Sequence, residues 1–324
     1  MSRRVIRPLH FAVSALLVTE MVTACRSDDG RPLATTTSAA GAQNGRLFFV
    51  TDGALFSVEP DGSNRREVVQ PERAADTTTP LSPDVAITTV TCSPAGDEIA
   101  YTLRRTPFGS VSREELWISS LGGEAARLII DQPGVGVSEP SWSPDGGTIA
   151  FSDPTLGSTA GDILSIARDG STLTPLTHGE LNFGGPDWSP GGDALVVSVG
   201  FDFETAFDLD IIDPATAKRT DLTTLDGSEF SPAWSSHDDI AFVSARRGDV
   251  AIYSIRPDGT GLGPLTNDTA ATSLPEWSPT GTSLAYVAER PAGFEVLVLP
   301  EPESTPIHLA ESPTFISDLT WCAA

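Results

Sequence analysis

From about residue 88 onward the chain repeats one short text. Glu139-Pro140-Ser141-Trp142-Ser143-Pro144-Asp145-Gly146 leads into Thr148-Ile149-Ala150-Phe151. Gly185-Pro186-Asp187-Trp188-Ser189-Pro190-Gly191-Gly192 leads into Ala194-Leu195-Val196-Val197. Pro232-Ala233-Trp234-Ser235-Ser236 leads into Ile240-Ala241-Phe242, and Pro275-Glu276-Trp277-Ser278-Pro279-Thr280-Gly281 into Leu284-Ala285-Tyr286. A weaker copy, Cys92-Ser93-Pro94-Ala95-Gly96, precedes Ile99-Ala100-Tyr101, and Trp321-Cys322 stands near the C-terminus. The six marker positions (Cys92, Trp142, Trp188, Trp234, Trp277 and Trp321) recur roughly every 45 residues, enough for a four-stranded antiparallel unit.

Each unit reads strand by strand. Strand A ends at the Trp. Ser-Pro-Asp-Gly is a turn, because Pro presets φ and Asp and Gly accept the unusual φ that follows. The Ile-Ala-Phe run is strand B. Asp162 to Ala167 is a strand C, and the Arg168-Asp169-Gly170 turn leads to a strand D ending Pro175-Leu176-Thr177. The sixth unit has only strand A before Ala324. Its other strands are supplied from the opposite end: Arg46–Val50, Leu55–Val58 and Arg66–Gln70. Joining the two chain ends closes a ring and removes its open seam. The expected fold is all-β, a six-bladed β-propeller over residues 45–324.

The repeated W-S-P-D-G, I-A-F and D-G-x-x-x-x-x-L-T text resembles the TolB-type β-propeller repeat. The resemblance covers about 280 residues and five of the six units carry the Trp. The Gly-His and Trp-Asp pairs of WD-repeat propellers are absent. An α/β domain ahead of the propeller, as in TolB, is not expected, because the blades begin about 20 residues after Cys25. The role of TolB itself in the envelope is therefore not carried over.

Residues 1–24 read as an export signal. Arg3, Arg4 and Arg7 precede an apolar run from Leu9 to Val22, interrupted by Glu20. The run is about 14 residues, shorter than the roughly 20 that span a bilayer. Val22-Thr23-Ala24-Cys25 resembles a bacterial lipobox, which implies a lipid on Cys25 holding an exported domain to the extracytoplasmic side of the cell membrane. An ordinary signal peptide cut near Ala24, or an uncleaved anchor, is the alternative. Residues 25–44 are small and polar and read as a flexible tether.

Net charge is −24, with Lys218 the single lysine, which argues against a nucleic-acid partner. No His-x-x-x-His, Cys-x-x-Cys, Walker loop or Gly-x-Ser-x-Gly elbow occurs. His178, His237 and His308 fall in separate blades, where they do not converge on a metal. Glu114, Asp162, Asp208 and Glu295 recur at the start of strand C and read as one structural contact per blade. Asp202, Glu204, Asp208 and Asp210 read as a solvated acidic edge. No catalytic residue, metal or cofactor is expected.

The A–B and C–D turns are tight, whereas the D–A and B–C loops are long and varied, including Arg104–Arg113, Asp153–Gly161, Gly179–Gly185 and Gly200–Phe207. Variable loops on a rigid scaffold are where binding usually resides. Phe183, Phe230 and Phe315 lie there beside Glu139, Asp187, Glu229, Glu276 and Asp318. That combination suits a protein or basic ligand; the other reading is that the Phe side chains pack inward and the acids solubilise. The function expected is a membrane-tethered module that binds a protein, peptide or glycan of the cell envelope. The rival is a lyase or hydrolase acting on cell-surface polymer. With Cys25 lipidated, Cys92 and Cys322 are the remaining thiols in an oxidising setting and are expected to bridge neighbouring blades. The alternative makes Cys92 a small substitute for Trp and Cys322 an unpaired terminal residue.

Overall fold

The computed structural model describes residues 45–70 and 84–324, apart from 107–111, 133–134, 155–160, 179–180, 202–205, 225–226, 247–249, 267–269, 303 and 324. The signal, Cys25 and the tether lie outside the described residues. Six four-stranded antiparallel sheets make six blades. Blade 6 takes its first three N-terminal strands from β1 (Arg46–Thr51), β2 (Ala54–Val58) and β3 (Arg66–Val69). Blade 1 is β4 (Asp84–Cys92), β5 (Glu98–Thr106), β6 (Arg113–Ser120) and β7 (Arg127–Ile130). Blade 2 is β8 (Ser138–Trp142), β9 (Thr148–Asp153), β10 (Asp162–Ala167) and β11 (Leu173–Pro175). Blade 3 is β12 (Asn182–Trp188), β13 (Leu195–Gly200), β14 (Asp208–Asp213) and β15 (Lys218–Asp221). Blade 4 is β16 (Glu229–Trp234), β17 (Ile240–Ser244), β18 (Ala251–Ile255) and β19 (Gly263–Pro264). Blade 5 is β20 (Thr272–Trp277), β21 (Leu284–Arg290), β22 (Gly293–Leu299) and β23 (Ile307–Ser312). The last strand, β24 (Ile316–Cys322), pairs antiparallel with β1 through Leu47↔Trp321 and Phe49↔Leu319 and completes blade 6.

The turn letters have local reasons. The Gly of each A–B turn sits at positive φ (Gly96 69°, Gly146 68°, Gly192 74°, Gly281 69°) and donates its N–H to the Ser carbonyl three residues earlier. That Ser also works through its side chain. Ser93, Ser143, Ser189 and Ser278 Oγ each accept the N–H five residues on, at 3.0–3.1 Å. Blade 4 lacks the Pro and the Gly, and Asp238 takes the left-handed position instead, at φ 62°. Asp tolerates that region better than most residues because its short side chain bonds locally.

Strand B is apolar on both faces because it is sandwiched between blades. Along β1, Leu47 and Phe49 face blade 5, while Phe48 and Val50 face blade 1. The same alternation gives six buried clusters, one at each seam between neighbouring blades. The core is therefore a ring of seams.

At the seam between blades 6 and 1, Cys92 and Cys322 form a disulfide, with Cα atoms 5.3 Å apart. Cys92 closes β4 and Cys322 closes β24. The bond spans 230 residues of chain. Non-reducing peptide mapping is expected to recover Cys92 and Cys322 in one linked peptide. A Cys92→Ala/Cys322→Ala variant should lose about 2–5 kcal/mol of stability in denaturant unfolding, the range typical for long-loop disulfides. Two free thiols in the oxidised wild type would contradict the pairing.

Candidate functional site

The innermost strands enclose a central channel of about 400 Å³, lined from all six blades. Four of these strands carry x-Pro-x-Trp. Proline has no N–H and cannot join the ladder, so the strand must bulge there. In β8, β12, β16 and β20 the register slips at this point, between Ser138/Ser141, Gly184/Asp187, Phe230/Ala233 and Ser273/Glu276. The residue before each Pro lies at positive φ: Glu139 50°, Gly185 56°, Ser231 50°, Leu274 52°. A non-Gly residue there costs on the order of 1–3 kcal/mol, so the surroundings hold it in place.

Released N–H groups at the bulge need acceptors. Carboxylates from the adjoining blade supply several of them. Glu139 Oε2 accepts the Gly185 N–H at 2.7 Å and Ser152 Oγ at 3.1 Å. Asp187 accepts the Trp234 N–H at 2.6 Å and Ser141 Oγ at 2.8 Å. Glu276 accepts the Trp321 N–H at 3.2 Å and Thr320 Oγ1 at 3.1 Å. Asp318 accepts the Val90 N–H at 2.7 Å and its neighbour Leu319 N–H at 2.9 Å. At the seam between blades 4 and 5, the Trp277 indole donates to the Ala233 carbonyl at 3.1 Å instead.

Burial pushes all four carboxyls above their ordinary range. Asp187 is raised to about 6. Asp318 is raised to about 7, by burial and then by repulsion from Glu139. Glu276 is raised to about 8, by burial and then by repulsion from Asp187 and Asp318. Glu139 is raised as well, by burial, against the bonds from Gly185 and Ser152.

These positions differ from an exposed acidic rim. Glu139, Asp187, Glu276 and Asp318 line the channel and join blades. Glu229 is 0% exposed. Its Oε1 pairs with Arg246 at 2.7 Å, and that guanidinium stacks on Tyr253 at 4.5 Å from the ring centroid. Phe183 is 8% exposed in the seam between blades 2 and 3, and Phe230 is partly buried against the seam between blades 4 and 5. Of the three phenylalanines, Phe315 alone stands out, 52% exposed and edge-on to Phe294 at 5.4 Å. Phe201, at the end of β13, is 72% exposed on the same loop face and was not singled out from sequence. Its signal was an aromatic directly after a strand-ending glycine, at the mouth of a long loop.

The strand C acids do make individual contacts. Glu114 accepts the Val137 N–H of blade 2 at 3.0 Å, Asp162 accepts Thr177 Oγ1, and Glu295 pairs with Arg290. Asp210 is corrected from solvated edge to core: it is 2% exposed and paired with Arg219 at 2.8 Å. Burial raises it to about 6, Arg219 opposing and Asp221 and Asp208 adding to the shift. Asp202 and Glu204, and parts of the long loops, lie outside the described residues. Among the described residues no group of three or more His, Cys, Asp or Glu is arranged to hold a metal.

A closed six-bladed propeller with an acid-lined central channel is the class of architecture. No protein-family model matches the chain. It is 31% identical over 139 residues to a TolB homolog of Chlorobium luteolum, covering 43% of this chain but 31% of that relative. Among solved structures, TolB from Acinetobacter baumannii superimposes with a TM-score of 0.69 at 17% identity, over 87% of this chain and 67% of that one. Puromycin hydrolase superimposes at 0.57 with 22% identity, over 82% of this chain and 43% of that one. The chain is thus similar to TolB propellers in sequence and shape, and spans about a third of the length of the Chlorobium relative.

Glu229→Ala is expected to cost about 3–5 kcal/mol in urea unfolding, because it leaves the mostly buried Arg246 without a carboxylate to balance its charge. Asp258→Ala, on an exposed turn, should stay within about 0.5 kcal/mol. Equal losses would show that Glu229 and Arg246 do not act as a buried pair.

Proposed function

We propose that this chain is an exported, membrane-tethered binding module whose loop face holds a protein, peptide or glycan of the cell envelope. The observation that carries the reading is the exposure of Phe201 and Phe315, the two large aromatic side chains left in solvent among the described residues, both on the face of the long loops. Aromatic side chains are enriched at binding surfaces because they bury large area with few rotatable bonds. The ring beneath them is rigid, so loop positions are held at fixed separations. The likeness to TolB propellers supports a rigid ring that presents loops on one face. The likeness to puromycin hydrolase covers 43% of that enzyme and is a likeness of fold. The lipobox supports an anchor through Cys25, with residues 25–44 as the tether.

Two measurements test this. Cys25→Ser should move the protein from the membrane pellet to the soluble extract; continued sedimentation in high salt rejects the lipid anchor. Detergent-solubilised envelope passed over the full chain should yield a discrete bound protein, with recovery falling at least tenfold for Phe201→Ser/Phe315→Ser at unchanged melting temperature. Turnover of a cell-surface polymer with no bound protein favours the lyase or hydrolase reading.

A further inference from the structure

The channel concentrates carboxyl groups without any countercharge. Glu139, Asp187, Glu276 and Asp318 enter from β8, β12, β20 and β24, and none of the lining residues is Lys, Arg or His. β4 brings Thr89, Val90, Thr91 and the disulfide-bonded Cys92; β16 brings Ser231, Pro232, Ala233 and Trp234. The groups that face the carboxyls are thus one another, hydroxyls of Ser141, Ser152 and Thr320, and backbone N–H groups. The carboxyls cannot swing away to relieve repulsion, because the N–H of the next blade holds each in place. Glu139 ties blade 2 to blade 3, Asp187 blade 3 to blade 4, Glu276 blade 5 to blade 6 and Asp318 blade 6 to blade 1.

We propose that these four carboxyls make the ring a pH-responsive device, its blade seams held while the carboxyls keep protons and loosened as rising pH removes them and leaves like charges in the channel. Protonation leaves each carboxyl a carbonyl oxygen that still accepts the neighbouring N–H, while removing the repulsion across the channel. Proton loss to solvent leaves up to four like charges facing one another across a cavity of about 400 Å³.

The direction follows from linkage. Carboxyls raised to about 6, 7 and 8 in the folded chain stay protonated where the unfolded chain has already lost those protons, above its ordinary carboxyl range. Their contribution is therefore fully present below the ordinary carboxyl range near pH 4 and is lost as pH rises from there through 6 to 8. The turn acids Asp61, Asp145, Asp169, Asp213 and Asp258 are shifted down by Ser, Thr and backbone bonds, so their contribution is lost only below about pH 4.

The test compares the full chain with Asp187→Asn/Glu276→Gln, which keeps an acceptor oxygen at each seam. Melting temperature of the wild type should fall between about pH 5.5 and 8.5, and the double variant should show less than half that fall. Asp258→Asn should keep the wild-type slope. Hydrogen-exchange protection of the Trp234 and Trp321 amides, corrected for intrinsic rate, should drop at least tenfold over the same interval in the wild type. An infrared carboxylic-acid band should be present in wild type near pH 6.5 and gone by about pH 9. A wild type without that band at pH 6.5, or with a melting temperature flat or rising to pH 8.5, overturns the proposal even if the variant does not fold. So does a double variant with the wild-type slope.

Discussion

In a propeller the backbone ladder stops at the edge of each blade. The hydrogen bonds of the ladder are spent inside each sheet, so the ring depends on what crosses the seams between sheets, including single backbone bonds such as Ile87 N–H to the Gly53 carbonyl and Phe183 N–H to the Gly161 carbonyl. Apolar packing supplies the bulk, in six clusters that each draw on two blades. Such packing is non-directional and would tolerate sliding. Direction comes from polar contacts at the inner rim, where a carboxyl or an indole of one blade meets a backbone group of the next. In β8, β12, β16 and β20 a proline helps by interrupting the inner strand and turning N–H groups out of the ladder, whereas Trp321 and Val90 donate from β24 and β4, which carry no proline.

Much of this architecture was legible in the letters because each repeated letter serves one local purpose. Ser caps the turn, Gly supplies a positive φ, and the Ile-Ala-Phe run is apolar on both faces because it lies between blades. Even the ring closure could be read, since blade 6 lacked three strands at one end and had three to spare at the other. The acids were harder. Asp and Glu are mostly found on surfaces, and Asp187 beside a long loop reads as part of a partner-binding face or as a solubilising charge. Two facts redirected it: the Pro at 186 forces a bulge, and Trp234 in the next blade is left with an N–H to satisfy. The second is a contact between units 47 residues apart, and no pattern inside one repeat reveals it. Phe183 and Phe230 were misread as loop residues for a related reason, because the strand begins at the loop face and its first residues already pack into a seam.

Two of the chain's sets of acids stand in contrast, those on the turns and those in the channel. Those on the turns are exposed, held by Ser and Thr hydroxyls and neighbouring N–H groups, and remain charged well into acid. Their charge keeps the ring apart from other acidic molecules. The channel acids have hydrogen bonds too, yet burial and mutual repulsion outweigh them. The same residue type is thus pushed in opposite directions by its place in one repeating unit. At the A–B turn an acid sees water on one side. At the inner rim it sees the five other blades.

The strand that closes the ring is tied to both neighbouring blades. β24 and β1 lie at opposite ends of the propeller, and bringing them together carries the largest loop-closure cost in the chain. Six pairs of residues join them within the blade. Outside the blade, Glu276 holds the Trp321 N–H from blade 5, and on the other side Asp318 and Ser317 bond to Val90 and to the Thr88 carbonyl in blade 1. Cys322 then bonds covalently to Cys92. An inner strand elsewhere is joined to the second strand of its blade by a short turn. β24 pairs instead with a strand from the far end of the propeller sequence, and contacts on both flanks hold it there. That concentration explains why two of the four channel carboxyls act on this one strand, and why charge in the channel bears most heavily on the place where the ring was joined.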